Sequence, residues 1–396
     1  MTEVTETAAS SGGDRRRAGA GRARLAPASL VVLAAIVVVL ALPGVVEGSG
    51  VHPSRSAALA TTGRLPRSIG AADTGNARPA APITAENADR VQVIGHIEYT
   101  GRHSSIAFTP DGETLATGSA DQAIRFWRVP DGVLTQALTG HGEVSDIAFT
   151  PDGQTLAFTA GNGTVRVTRA SDGAQLLSWK PHDLGVRSMT LSPDGTMLAT
   201  GEGVTSHHGR VQTDTSVRLW RVSDGALLRT FQGEHRPIRD LAFSPDGQSL
   251  AASAWAGGVT LWQISTGRIV RTFDGEWEAA ENLAFSPDGQ ALTASADGRV
   301  IPLWRVSDGT RFKTIDARPG VVLSTAFSAD GTIVATGDKG SAIHLWHAAD
   351  GTLLRTLKPA DASATAEIDR MAFSPGGEIL VASSSDGVVW LWGASQ

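Results

Sequence analysis

Residues 241–247 read LAFSPDG, an apolar run closed by Ser244-Pro245-Asp246-Gly247. Each residue of that tetrapeptide suits a tight hairpin. Proline presets φ, aspartate caps the turn, and glycine accepts positive φ. Outward from it lie a small-residue stretch, SLAASA (249–254), and then VTLW (259–262), whose alternation fits a half-buried strand. A second turn, STG (265–267), leads into IVRTF (269–273). The stretch therefore reads as four short antiparallel strands, with no room for a helix between the Gly and Pro punctuation.

The phrase recurs as IAFTPDG from Ile106 and Ile147, MTLSPDG from Met189, LAFSPDG from Leu283, TAFSADG from Thr325 and MAFSPGG from Met371. Seven copies follow one another at about 42 residues, the length of one four-stranded blade of a β-propeller. A tryptophan stands at a fixed place after most copies: Trp127, Trp220, Trp262, Trp304, Trp346 and Trp392, with Thr168 in the second. Burying one indole contributes about 4–6 kcal/mol as an upper bound, so the six account for much of the ring's cohesion. The fold expected is all-β, a seven-bladed propeller of four-stranded blades. The last copy ends without an outer strand. RVQVIGHI (90–97) alternates suitably and is expected to supply it, leaving no open edge.

These residues resemble the WD-repeat family over about three-quarters of the chain. The resemblance rests on Gly140-His141, His182 and His235 before the inner strands. It rests also on Asp121 with Trp127, Asp214 with Trp220, and Asp386 with Trp392. It implies that His, Ser/Thr, Asp and Trp hydrogen-bond in series and fix blade geometry, a structural role and not a catalytic one. The sequence departs from the pattern in places. Histidine is missing before the fifth to seventh copies, the second copy has Asn162 and Thr168, and the fourth has Ala256 for Asp. Asp297 lies seven residues before Trp304, which suggests a small bulge. The AFSPDG phrase is shared with YVTN-type bacterial propellers; the fixed tryptophan and the Gly-His favour the WD type.

The chain has 396 residues, 45 glycines, 10 tryptophans, one tyrosine and no cysteine, so disulfides and thiolate chemistry are excluded. Its net charge is -6, and the basic residues 1–24 make the remainder more acidic still, which disfavours nucleic acid as a partner. Residues 25–46 carry no formal charge and centre on LVVLAAIVVVLAL. They are long enough for a hydrocarbon core and follow Arg15, Arg16, Arg17, Arg22 and Arg24. The expected layout is a cytoplasmic tail (1–24), a transmembrane signal anchor (25–46), a disordered stalk (47–89) and an extracytoplasmic propeller (90–396). A cleaved leader, cut after Ala41 or Gly48, is the other outcome and would give a secreted protein.

No catalytic motif of known mechanics is present, and no cofactor or metal is expected. The repeated aspartates stand where turn geometry already requires them. The third copy carries an insertion, EGVTSHHGRVQTDT (202–215), holding His207, His208 and Arg210. A metal held by these histidines with Glu202 is disfavoured, because adjacent histidines point apart. Insertions in repeat proteins map to a functional face, so a partner contact is the better reading. Trp255, Trp277 and Arg236 fall on the same expected face, and exposed Trp and Arg are the usual interface anchors. The expectation is a non-enzymatic protein-interaction scaffold or sensor; the alternative is a propeller hydrolase or ligand-binding enzyme with a site in the central channel.

Overall fold

The computed structural model describes residues 81–395 apart from short segments at 99–102, 130, 184, 203, 208–209, 214, 233–235, 256–257, 274–279, 297–298, 319 and 361–365. Seven four-stranded antiparallel sheets follow in chain order. The fourth shows the pattern: Ile238–Phe243 innermost, then Ser249–Ala254, Val259–Gln263 and Ile269–Phe273 outermost. The inner strands neighbour one another in a closed cycle, His103–Phe108 touching both Val144–Phe149 and Ile368–Phe373. The sheets are thus blades 1 to 7 of a propeller.

Closure follows the expected route. Val91–Glu98 pairs antiparallel with Val388–Ala394, from Val91↔Ala394 to Glu98↔Val388, and serves as the outer strand of blade 7. Both edges of the ring are thereby paired.

The serine-type turns behave as their residues dictate. In blade 4 the Ser244 hydroxyl donates to Asp246 Oδ1 at 2.5 Å, and that oxygen accepts the Gln248 N–H at 2.9 Å. Gly247 sits at φ +67°, where any other residue is strained, and an added Cβ would meet Pro193 of the preceding blade. The hydroxyl contact holds Asp111, Asp152, Asp194, Asp246 and Asp288 below the ordinary carboxylate pKa. These aspartates serve the turns.

Apolar side chains gather at the seams between blades. Ala199, Val217, Leu219 and Phe231 of blade 3, for example, meet Ile238, Leu250 and Trp262 of blade 4. The bulge expected in blade 5 is absent. Its second and third strands keep one register from Ala291↔Arg305 to Ala296↔Val300. Leu292 pairs with Trp304 as Leu115 pairs with Trp127 across an equal span, so nothing is inserted between the two strands; Asp297 itself lies outside the described residues. Among the described residues no helix is long and apolar enough to cross a membrane. The anchor expected at 25–46, and the stalk as far as residue 80, lie outside them. Residues 81–89, expected as the end of a disordered stalk, instead pack on the propeller, with Ile83 and Ala88 buried and the Ile83 N–H bonded to Gly377 O.

Candidate functional site

Each inner strand places one polar residue just before the three residues that lead into its turn: Ser105, Asp146, Ser188, Asp240, Asn282, Ser324 and Arg370. This position ties blade to blade. Ser105 Oγ accepts the Ile147 N–H at 2.9 Å, and Asp146 Oδ2 accepts the Met189 N–H at 2.9 Å. Ser188 donates to Asp240 Oδ1 at 3.0 Å, while Asp240 Oδ2 accepts the Leu283 N–H at 2.7 Å. Arg370 of blade 7 reaches past blade 6 to Asn282 Oδ1 of blade 5 at 2.6 Å. Burial pushes the Asp146 carboxyl up to about 6, against the opposing charge of Arg370, and raises Asp240 for the same reason. Both carboxylates are engaged with backbone amides of the next blade. Among the described residues no three His, Asp or Glu side chains are grouped to hold a metal.

The exposed aromatic lies nearby. Trp255 follows the second strand of blade 4, is 50% exposed, and donates its backbone N–H to Pro237 O at 2.9 Å. The Arg239 guanidinium lies 3.9 Å from its ring centroid and pairs with Glu281 at 3.2 Å. A stacked, partly desolvated guanidinium is a cation–π contact. Burial, and then the charge of Arg187, lower the Arg239 pKa, the Glu281 carboxylate opposing them. Arg187 and Arg236 are exposed, and Arg236 directly precedes the Pro237 that receives the Trp255 amide. One arginine thus stacks on the indole, and a second from the neighbouring blade is close enough for its charge to act on the first. A third adjoins the Pro237 that accepts the Trp255 backbone amide, on a chain whose net charge is negative.

The repeat histidines diverge. His182 is 1% exposed; its Nε2 lies 2.8 Å from Thr200 Oγ1, which also accepts the Trp220 indole N–H at 2.9 Å. Its Nδ1 lies 3.4 Å from Glu202 Oε2. Glu202 is therefore no part of an exposed loop: it ends a strand and is 1% exposed. His141 instead meets Arg166 Nη1 at 3.0 Å, with its pKa lowered by burial and by that arginine. Asp121 pairs with Arg125 at 2.6 Å and caps its turn, and Asp386 accepts from Ser384. Trp127 and Trp346 donate to Thr117 and Thr336, each at 2.9 Å.

The insertion is a two-stranded hairpin, Val204–His207 with Arg210–Thr213, in which His207 pairs with Arg210. His208, Asp214, His235 and Trp277 lie outside the described residues. Of the expected partner-binding residues, the structure brings Trp255 and Arg236 together. Arg187, Arg239 and Glu281 were missed. So was the blade-to-blade polar series, though its signal was present as one polar residue ahead of the three that lead into every turn.

Residues 90–128 match the family described as WD domain, G-beta repeat, and residues 143–396 match that described as IFT122 first beta-propeller. Among curated proteins, Nuclear distribution protein PAC1 of Coccidioides posadasii is 30% identical over 157 residues, 38% of this chain and 33% of the relative. Periodic tryptophan protein 2 homolog of Dictyostelium discoideum is 22% identical over 156 residues, 38% of this chain and 16% of its own length. Protein hir1 of Schizosaccharomyces pombe is 25% identical over 179 residues, 39% of this chain and 18% of its own. The alignments thus span a third or less of these relatives, all of them eukaryotic. With the repeats closed into seven blades and more than half of the chain matched, the protein belongs to the WD-repeat propellers, in the family of the IFT122 first beta-propeller.

Proposed function

We propose that this protein is a non-enzymatic interaction scaffold whose partner docks on the face around Trp255. The observation that carries the reading is the half-exposed Trp255 indole under the Arg239 guanidinium, with Arg187 and Arg236 beside it. An aromatic framed by arginines suits a partner segment that offers carboxylates around an apolar side chain. Scaffold roles are common among WD-repeat propellers, and the inner-strand carboxylates already serve the ring.

The same reading places the propeller outside the cytoplasmic membrane, held by residues 25–46 behind the arginine-rich tail. Crosslinking in intact cells identifies the partner. Trp255→Ala with Arg236→Ala should then reduce its capture at least tenfold while the unfolding midpoint stays put. Undiminished capture would remove this face from consideration. A phosphatase joined after Gln396 should be active if the propeller is exported; a detectable but inactive fusion reverses the topology.

A further inference from the structure

A segment of this chain shows what a seam between two blades can hold. Pro82–Ala85 lies at the turn end of the seam between blades 6 and 7. There Ile83 is 0% exposed, packed with Ile333, Leu345 and Ala394, with Leu354 and Phe373 alongside. Its N–H donates to Gly377 O at 2.9 Å, and the Ala85 N–H donates to Thr332 Oγ1 at 3.0 Å.

One seam away, between blades 5 and 6, the same repeat positions wall a cleft of about 310 Å³. Leu303 stands where Leu345 stands, Phe327 where Phe373 does, and Gly331 and Gln290 where Gly377 and Thr332 supply the hydrogen bonds. Ala291 replaces Ile333, which deepens the floor, and Phe312, 41% exposed, replaces Leu354 as an aromatic wall.

What opens both seams is one residue, two places after the blade tryptophan. It is Ala348 at the cleft and Ala394 at the Ile83 seat. The corresponding Val129, Val222, Ile264 and Val306 pack into their own seams. Ala170 faces a seam filled instead by Phe126 against Phe149, centroids 6.1 Å apart.

We propose that the cleft between blades 5 and 6 is a docking site for an extended segment of a partner protein, anchored by one Ile- or Leu-sized side chain. The partner's backbone would pair there as Ile83 and Ala85 pair at the neighbouring seam. Proline is not required before the anchor. Pro287 keeps its place against Gly331, whereas the sixth copy has Ala329, and Pro82 fills in beside Gly377. The inference rests on the scaffold reading but uses the other end of the strands from Trp255, so either surface can fail without the other.

The probe is the peptide Ala-Ala-Ile-Thr-Ala-Glu-Asn-Ala, residues 81–88 with alanine for Pro82, titrated against the full chain. Saturable binding with Kd on the order of 0.1 mM is expected for a single buried anchor. Aspartate in place of its isoleucine should abolish binding. Ala348→Val should weaken binding at least tenfold with unchanged thermal unfolding, since valine already holds that position in three other seams. A photoactivatable anchor should attach near Phe312 and Phe327. No saturation up to about 2 mM, or full binding by Ala348→Val, overturns the site. Attachment at Phe373 does so too, because it means the chain's own segment was displaced. Self-association of the full chain that Ala348→Val abolishes gives the cleft to a second copy instead.

Discussion

Blades 2 and 3 fill the same space in opposite ways. In blade 3 the third strand supplies Trp220 and the second supplies Thr200, with the His182 ring against that hydroxyl. In blade 2 the third strand supplies Thr168 and the second supplies Phe158, both 0% exposed. The large and the small side chain have exchanged strands, and His141 now meets Phe158 edge-on at 5.1 Å. Blades 4, 5 and 7 show a third solution. Ala252, Ala294 and Ala382 accompany Trp262, Trp304 and Trp392, which are 2%, 1% and 1% exposed. Filled volume is common to all seven blades, whereas the Trp–Thr hydrogen bond is found in blades 1, 3 and 6. Close packing is the constraint, and the hydrogen bond adds to it.

The exchange can be broken and remade. Phe158→Thr should cost about 3–4 kcal/mol by leaving a cavity, and Thr168→Trp alone about 1–3 kcal/mol by overpacking. The double variant should recover more than half of the combined loss in urea unfolding. Simple additivity would show that the two sites do not share one volume.

Asp146 of blade 2 holds the Met189 amide of blade 3, and its burial sets a pH dependence. With a carboxyl pKa of about 6 in the fold, the native protein keeps a proton that the unfolded chain releases near pH 4. Stability from this group therefore falls as pH rises from about 4 to about 6, by up to about 3 kcal/mol. Asp146→Asn should flatten that slope while still accepting the amide. The opposite trend comes from Asp308, Asp316 and Asp350, held at about 2 by hydroxyl, amide and arginine partners. Their contribution is present above about pH 4 and is lost as pH falls toward their folded values. Denaturation midpoints across pH 2–8 check both limbs.

His182→Ala should cost about 1–3 kcal/mol, because it leaves buried partners behind. His141→Ala, half-buried beside Arg166, should cost under about 1 kcal/mol. Equal losses would mean that the two histidines do the same work despite their different partners. The smallest effect is a gain. Gly376→Asp restores the turn aspartate missing from blade 7 and should add up to about 1 kcal/mol. Glu378 has to swing aside for it.

Much of the fold was legible because hairpin chemistry and a repeating tryptophan are local signals. The Ser-Pro-Asp-Gly turns, the number of blades and the strand that closes the ring could all be read from spacing. Much of the site was not. Glu202 looks like a loop residue in the sequence, yet it ends a strand and is buried beside His182. Arg239 attracts no notice among the inner-strand residues until its guanidinium is found over Trp255.

By itself, then, the sequence determined the blade unit and the order in which seven units join, since the first six are each built from one continuous stretch of chain and the seventh lacks only its outer strand. Only the tertiary structure decided what happens where blades meet: Phe158 compensating for Thr168, Arg370 crossing to Asn282, and Ile83 filling one seam while its neighbour keeps a cleft. Those contacts join residues from different repeats, or from opposite ends of the chain. Their fit depends on side-chain volumes that no single repeat contains.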